Sequence, residues 1–343
     1  MSHSKKVTIN DVALLAGVSV STVSLVLSGK GRISANTGQR VNAAIEELGF
    51  VRNRQAAALR GGQSGSIGLV VNDIGHPFYA GLVAGVSEVM EREGRLLLLA
   101  QSGNTLEQMQ RCLTTLNNQG VDGVIIAGSA RRLAGIAALT EELALPVVVA
   151  SRAGDSELAD SIRPDHQQAA RVLTRHLIEC GHQRIAWLGG SADSLTRAER
   201  LGGFCATLLQ YGLPFHSDWV IECDNSHRQA AEALGALLRH NPTISAVVCH
   251  NATIATGAWL GLLRAGRQGG ERSMESYFDR QLALGAFAEV GETALDDIPV
   301  SWVTTPAREM GARVAERIME RVANGAVAPL GQVLTPRLYP WRG

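Results

Sequence analysis

The sequence has few cysteines, and they follow no pattern typical of a metal site or a disulfide framework. Its 343 residues include five cysteines, and no two of them lie in a CxxC arrangement. An odd number of scattered cysteines is typical of a reduced, cytoplasmic protein. We therefore expect no structural disulfides and no cysteine-based metal site.

Long apolar runs and catalytic signatures are missing as well. No segment has the roughly 18 unbroken apolar residues that a membrane-spanning helix needs, and the polar first residues lack the apolar core of a signal peptide. The sequence contains no P-loop, no GxSxG and no HExxH motif, and its nine histidines lack metal-ligand spacing. These absences predict a cytoplasmic protein that is not an enzyme, with no cofactor, no bound metal and no membrane contact.

The charge is unevenly distributed along the chain. The formal net charge is zero, yet residues 1–62 carry eight Lys and Arg against three acidic residues, a net charge of +5 that leaves −5 for the remainder. A basic module attached to an acidic body indicates contact with a polyanion. Chance clustering of surface charge is the alternative at this point.

The basic module has the pattern of three short helices. Thr8 and Asp11 have the spacing of a capping box, Gly17 suits a tight turn, and Ser19 and Ser34 can cap a second and a third helix. The apolar positions of the first helix recur at helical spacing: Ile9, Val12, Ala13 and Ala16. Two helices joined by a tight turn and braced by a third form a helix-turn-helix, whose second helix enters the major groove of DNA. A small helical bundle without a DNA function is the alternative.

Residues 7–27, VTINDVALLAGVSVSTVSLVL, resemble the signature of the lac repressor (LacI/GalR) family, and the similarity covers nearly the whole chain. Residues 25–33 and 50–55 resemble the maltose-regulon type of repressor in that family. The resemblance implies an α/β fold: an N-terminal three-helix helix-turn-helix headpiece, a hinge helix, and a two-lobed, periplasmic-binding-protein-like body with parallel sheets. It also implies a homodimer that binds a double-stranded, palindromic DNA operator and represses carbohydrate-utilisation genes.

The resemblance assigns base reading to Val20, Ser21 and Leu25. Many relatives carry Arg at the position of Leu25, where a leucine can only pack, for example against a thymine methyl group. Specificity should therefore depend on apolar contact, on Ser21 and on DNA shape. Hydroxyl groups near the helix N-termini can hold phosphates. The residues expected to do so are Thr8, Ser19, Thr22, Ser24, Ser34 and Thr37.

The predicted domains are a DNA-binding domain at 1–52, a hinge helix and linker at 53–66, and an effector-binding and dimerisation body at 67–343. A stretch of about nine residues is too short for a stable isolated helix in water, so a plain linker is the alternative. In the family the hinge orders on DNA and pairs with its dimer mate in the minor groove, where Leu59 at the wedge position can unstack a base step. The expected hinge contacts to DNA are Asn53, Arg54, Ala56 and Leu59.

From Ile67 onward, apolar strand runs alternate with helical patterns, which predicts parallel sheets covered by helices. We expect one lobe at about 67–163 and 304–325, and a second at about 164–303 and 326–343. Ligands of such folds bind beyond the carboxyl ends of the strands, in a cleft between facing lobes. The final residues show no heptad repeat, so a dimer rather than a tetramer is expected.

The resemblance places a small, sugar-like effector in this cleft. Arg200 matches the effector-gripping arginine of the family, and its fork suits vicinal hydroxyls or a carboxylate. The other expected effector contacts are Phe78, Ser151, Asp165 and Asn251. A capping or surface role is the alternative for each of these residues.

Two departures from the family pattern weaken the sugar prediction. Ala252 and Ala288 stand where many relatives carry acidic residues, so two hydrogen-bond acceptors are missing from the cleft. A DNA-binding repressor without an effector, whose body serves dimerisation, is therefore a second hypothesis. A solute-binding transport protein is a third, and the basic headpiece and the lack of a signal peptide argue against it.

Overall fold

In a computed structural model of the chain, the structure describes residues 7–28, 33–50, 63–103, 105–128, 137–151, 160–266, 268–269, 281–288, 298–304, 306–325 and 327–341. They fall into two compact units, Met1–Ser64 and Gly65–Gly343. The first unit contains the predicted DNA-binding domain, and the second contains the predicted body. Elements are numbered below in chain order.

The first unit is a three-helix bundle. Its helices are α1 (Ile9–Ala16), α2 (Val20–Ser28) and α3 (Ala35–Leu48). Its core consists of the apolar faces of all three helices: Val12, Ala13, Ala16, Val23, Val41 and Ala44. The three predicted helices are thus present, and the apolar positions that recur at helical spacing in α1 are the ones that pack inward.

The first lobe of the second unit is a parallel sheet of six described strands in the order β12-β5-β4-β3-β1-β2. The strands are β1 (Ser66–Val71), β2 (Leu96–Gln101), β3 (Gly123–Gly128), β4 (Val147–Ser151), β5 (Asp160–Pro164) and β12 (Leu330–Leu334). Its helices are α4 (Pro77–Arg92), α5 (Leu106–Asn118), α6 (Ala137–Glu142) and α11 (Ala307–Asn324). Buried residues on both faces of the sheet explain the nearly continuous apolar character of β1 and β3.

The second lobe has the strand order β13-β11-β10-β8-β6-β7, with β9 beside β10. Its strands are β6 (Ile185–Leu188), β7 (Val220–Ile221), β8 (Ala246–Cys249), β9 (Gln268–Gly269), β10 (Gln281–Ala288), β11 (Val300–Thr304) and β13 (Arg337–Tyr339). Its helices are α7 (His166–Glu179), α8 (Leu195–Gln210), α9 (His227–His240) and α10 (Ala252–Arg264). The pairing is parallel except that β13 runs antiparallel to β11. The parallel α/β architecture confirms the predicted fold class.

The C-terminal segment divides differently from the prediction. Residues 326–343 were all expected in the second lobe, but β12 pairs with β5 in the first sheet, and only β13 joins the second. Leu334 at the end of β12 packs into the core of the first lobe. An apolar strand pattern does not specify which of two sheets it will join, because that choice depends on the free edge beside β5.

Pairs of helices approach closely where a glycine removes a side chain. A Cβ added to Gly311 of α11 would overlap the carbonyl oxygen of Leu82 in α4, and one added to Gly85 of α4 would overlap the carbonyl oxygen of Arg308. In the second lobe, a Cβ on Gly203 of α8 would overlap the carbonyl oxygen of Gln167 in α7. These glycines allow backbone contact between the helices that cover the sheets.

In the part of the chain that the structure describes, no single helix is both long enough and apolar enough to cross a membrane. The helices Ile9–Ala16 and Val20–Leu27 meet the criterion of length and hydropathy only when they are taken together, and the pair is bent by 104°. These are the two helices of the helix-turn-helix.

Candidate DNA-binding surface and effector site

The turn between α1 and α2 is fixed by a glycine and an arginine. Gly17 has a φ of 60° and ends α1 in the left-handed conformation, which a residue with a side chain adopts at a cost. Arg40 of α3 donates from Nη2 to the carbonyl oxygen of Ala16 at 2.5 Å. This bond links α3 to the end of α1 and so helps to fix the orientation of α2, which follows the turn.

The start of α1 is held by a local carboxylate. The backbone N–H of Thr8 and its hydroxyl both donate to Asp11 Oδ2, at 2.8 and 2.7 Å. The predicted capping box is therefore present. It leaves Thr8 exposed at the helix N-terminus, where the predicted phosphate contact would lie.

The start of α2 carries a cluster of three hydroxyl groups, which we call the hydroxyl cluster: Ser19, Ser21 and Thr22. Ser19 Oγ accepts the backbone N–H of Thr22 at 3.2 Å and lies 2.7 Å from Ser21 Oγ and 2.8 Å from Thr22 Oγ1. Ser34 repeats this arrangement at α3, where its Oγ accepts the N–H of Thr37 at 3.2 Å. Hydroxyl groups and free helix N-termini together suit phosphate oxygens.

Two of the three predicted base-reading residues, Ser21 and Leu25, lie on the solvent-facing side of α2, whereas Val20 packs against the core of the bundle. Ser21 and Ser24 are exposed and Val20 is half-buried, while the Leu25 side chain is 41% exposed. Val23, on the opposite side, is fully buried in the core of the bundle. The exposed Leu25 side chain is accessible for the predicted apolar contact with a base edge. The hinge residues Asn53, Arg54, Ala56 and Leu59 lie outside the described residues.

Arg200 is the predicted effector residue with the most extensive contacts. It lies on α8 and is 1% exposed. Its Nη1 donates to the carbonyl oxygen of His250 at 2.8 Å, its Nε donates to His166 Nδ1 at 3.3 Å, and its Cζ lies 4.4 Å from the centre of the Phe287 ring. Because arginine keeps its charge in proteins, these contacts compensate for its burial.

The partners of Arg200 were not identified from the sequence. His166 begins α7, His250 follows β8, and Phe287 lies near the end of β10. Trp187 of β6 completes an aromatic layer, with ring centres 6.0 Å from Phe287 and 6.2 Å from His250. Each residue is unremarkable alone in the sequence, and only its position next to a strand end could have suggested it. We call this set the Arg200 cluster: Arg200, His166, His250, Phe287 and Trp187.

Asp165 and Asn251 both cap helices at the predicted cleft. Asp165 Oδ1 accepts the N–H of Gln168 at 2.8 Å. Asn251 Oδ1 accepts the N–H of Ile254 at 3.0 Å, and its amide nitrogen donates to Asn225 Oδ1 at 2.9 Å. The capping role left open by the sequence is therefore present at both positions, and their effector role stays a prediction.

Phe78 and Ser151 are buried, as Arg200 is. Phe78 lies in the core of the first lobe, with its ring edge-on to Tyr79 at 5.3 Å. Pro77 begins α4 at this point, and the first turn of the helix directs Phe78 inward. The effector contact expected of Phe78 stays a prediction. Ser151 ends β4 and is fully buried.

Four of the five cysteines have a thiol pKa that burial raises. Burial raises the pKa of Cys249 at the end of β8, and burial also raises the pKa of Cys112, Cys205 and Cys223. These thiols stay protonated near neutral pH and are poor nucleophiles. In the part of the chain that the structure describes, no three His, Cys, Asp or Glu residues come together in a way that could hold a metal ion.

Comparison with known families accounts for both units. Residues 8–53 match the family of "Bacterial regulatory proteins, lacI family", and residues 64–336 match "Periplasmic binding proteins and sugar binding domain of LacI family". Together with the helix-turn-helix, these matches define a bacterial transcription regulator. The chain belongs to the LacI family.

Individual relatives agree with this assignment. The chain is 60% identical over 338 residues to the maltose regulon regulatory protein MalI of Escherichia coli strain K12, covering 98% of this chain and 99% of the relative. A solved complex of the transcriptional regulator CelR with cellobiose is 28% identical, covers 97% of this chain and 98% of its own, and superposes with a TM-score of 0.66. A lac repressor dimer bound to operator and an anti-inducer, 24% identical with a TM-score of 0.80 and coverage of 97% and 98%, shares the fold. These relatives are regulators, and the chain is a transcription regulator and not an enzyme.

Proposed function

We propose that this chain is a cytoplasmic, dimeric repressor of carbohydrate-utilisation genes that binds a palindromic operator. The observation that carries the DNA part is the α2 surface, where the hydroxyl cluster adjoins the exposed Leu25 side chain. The carbohydrate part is supported by the 60% identity to a maltose regulon regulatory protein. The two half-sites would be read by two copies of α2, one from each protomer.

We further propose that a small, sugar-like ligand modulates this repressor through the Arg200 cluster. Arg200 lies where β8 and β10 end. Its partners His166 and His250 are adjacent in sequence to the predicted effector contacts Asp165 and Asn251, which cap α7 and α10. The solved CelR relative carries cellobiose, which supports a sugar as the class of ligand. A ligand that favours one arrangement of the lobes would change the operator affinity by its difference in affinity for the two arrangements.

Selection of bound duplexes from a random library tests the DNA part directly. We expect a palindromic consensus and, with that operator, fluorescence anisotropy should show tight binding that a scrambled duplex of equal length does not reproduce. If no sequence is enriched, the regulator does not read DNA by the proposed surface.

Titration with maltose and with cellobiose tests the proposed sugar-like effector. Maltose is named in the description of the MalI relative, and cellobiose is bound in the CelR structure. Operator release or tightening in anisotropy, matched by a heat of binding in calorimetry, would support it. The control is Arg200→Lys, which retains the charge but loses the planar fork. A response that is equal in wild type and Arg200→Lys would contradict the assigned role of Arg200.

A repressor without an effector is the second candidate. Ala252 and Ala288 favour it, because they remove carboxylates that many relatives have at this site, and Ala288 is buried at the end of β10. This candidate predicts full operator affinity in the presence of both sugars and of a small-molecule extract of cells. It also predicts no thermal shift with either, whereas one reproducible shift would contradict it.

A further inference from the structure

Gly65 is the residue at which the chain passes from the first unit to the second. The boundary between the two compact units lies between Ser64 and Gly65, and β1 begins at Ser66. Gly65 has a φ of 75°, in the left-handed region, so the chain changes direction there. Any covalent influence of the body on the DNA-binding domain passes through this residue.

An acidic side chain from another part of the sheet holds Gly65. Asp122 immediately precedes β3, and its Oδ2 accepts the backbone N–H of Gly65 at 2.9 Å. The same oxygen accepts Arg95 Nη1 at 2.7 Å. The Asp122 side chain is 8% exposed and that of Arg95 is 17% exposed. The contact is therefore a charge-assisted hydrogen bond inside a largely buried ion pair, which is stronger than an exposed one.

The backbone around Gly65 reinforces this contact. The carbonyl oxygen of Gly65 accepts the N–H of Leu96, and the carbonyl oxygen of Ser66 accepts the N–H of Asp122, at 2.9 and 2.8 Å. The amino ends of β1, β2 and β3 thus converge on one residue. We call Gly65, Arg95 and Asp122 the linker anchor.

The sheet does not depend on the anchor for its register. β1 pairs with β2 from Ser66 onward and with β3 from Ile67 onward, through the usual ladder of parallel bonds. Burying an ion pair costs desolvation, so such a pair is weak evidence for a role in stability alone. Here it fixes the residue that precedes the strand, where it can restrict the direction of the linker.

We propose that Asp122, oriented by Arg95, is a positioning residue that fixes the linker at Gly65 and so increases operator affinity. This inference rests on the proposed DNA function and adds a residue that contacts neither DNA nor effector. A linker that leaves the body in one direction loses less conformational freedom when both DNA-binding domains engage an operator. The resulting increase in affinity applies to the operator, because operator binding requires both DNA-binding domains at a fixed spacing.

The test compares full-length Asp122→Asn and Arg95→Met with a matched control. Asp160→Asn is that control, since Asp160 is a buried carboxylate in the same lobe that accepts the N–H of Leu330 at 2.9 Å and binds Arg317 at 2.7 Å. It has the same kinds of contact but none to the linker. All variants are measured by anisotropy on the selected operator and on a scrambled duplex, with melting temperature recorded in parallel.

We expect Asp122→Asn and Arg95→Met to weaken operator binding at least about tenfold, as loss of a charge-assisted hydrogen bond would, with binding to the scrambled duplex unchanged. The double variant should be no weaker than Asp122→Asn alone, because both act through one contact. Asp160→Asn should lower the melting temperature but leave operator affinity within about twofold of wild type.

Three outcomes would overturn the proposal. These are unchanged operator affinity in Asp122→Asn, an equal loss on both duplexes, and an equal loss of operator affinity in Asp160→Asn. If Asp122→Asn does not fold, Asp122→Glu keeps the charge and displaces the acceptor, and it should reduce operator affinity while remaining folded. Should wild type itself select no operator, the proposed function fails rather than the anchor.

Discussion

Arg200 carries a full positive charge into an almost completely buried position, and its contacts come from three different elements. His166 supplies a ring nitrogen, His250 a carbonyl oxygen and Phe287 an aromatic face. A buried donor that loses its acceptor costs more than the bond contributed, because the group is no longer solvated either. The stability of the second lobe is therefore sensitive to the neighbours of Arg200.

We predict that His166→Leu destabilises the protein by about 1–3 kcal/mol, because Arg200 Nε loses its acceptor while the volume is nearly kept. Urea unfolding of the full chain measures this difference. His227→Leu, at an exposed position on α9, is the control and should stay within about 0.5 kcal/mol of wild type. Equal effects of the two substitutions would show that the bond to Arg200 does not matter for stability.

Ser21 and Ser34 separate base reading from phosphate contact on the DNA-binding surface. We predict that Ser21→Ala changes the relative affinities for single-base variants of the operator, by about 1–3 kcal/mol at the contacted position. Ser34→Ala should instead weaken binding to all variants by a similar factor, since phosphates carry no sequence information. A uniform loss for Ser21→Ala, measured by competitive anisotropy, would contradict its base-reading role.

At the scale of elements, the helices covering the sheets are brought together by glycines. Gly85 and Gly311 lie where α4 and α11 cross, and each faces a carbonyl oxygen of the other helix. This pair forms one side of the core of the first lobe, together with Leu82 and Val314. The close approach leaves no room for even one methyl group.

Accordingly, Gly311→Ala should lower the free energy of unfolding by about 1–3 kcal/mol, the cost of overpacking a well-packed contact. Gly202→Ala on α8 is a matched control, because its Cβ would meet open space. That control should stabilise the protein by about 0.5–1 kcal/mol through helix propensity. The two changes are compared by chemical denaturation, and a neutral Gly311→Ala would mean that the helices can separate without cost.

At the scale of the whole molecule, charge is divided between the two units. The first 62 residues carry a net charge of +5, and the remainder carries −5. In the proposed function the basic unit is the one that binds DNA, and the acidic charge of the body would disfavour contact with DNA. This division of charge favours encounters in which the first unit approaches DNA, because only that unit carries a net positive charge.

We predict that operator affinity falls steeply with salt, with a slope of log K against log salt of roughly −0.9 for each phosphate neutralised. Anisotropy titrations between low and physiological salt give this slope directly. The body alone, produced from residue 65 onward, should show no binding at any salt concentration. Salt-independent binding by the full chain would contradict a phosphate-based interface.

Much of the fold follows from local patterns. The capping box at Thr8, the turn at Gly17 and the apolar spacing of α1 each involve residues within a few positions of one another, and all three are present in the structure. The alternation of strands and helices likewise predicted parallel sheets. The hinge contacts at residues 53–59 remain predictions, as do the effector roles of Asp165 and Asn251.

The sequence by itself determined the helix-turn-helix, the α/β class and the family. These depend on capping, turn and apolar residues that lie only a few positions apart in the chain. Only the tertiary structure decided that β12 joins the first sheet, that Arg200 is held by His166 and His250, and that Asp122 holds Gly65. Arg200 is 34 positions from His166 and 50 positions from His250, and Asp122 is 57 positions from Gly65. These contacts form only after folding has brought particular sheet edges and helix ends together. The spacing of residues within one helix or strand does not predict which edges and ends become neighbours.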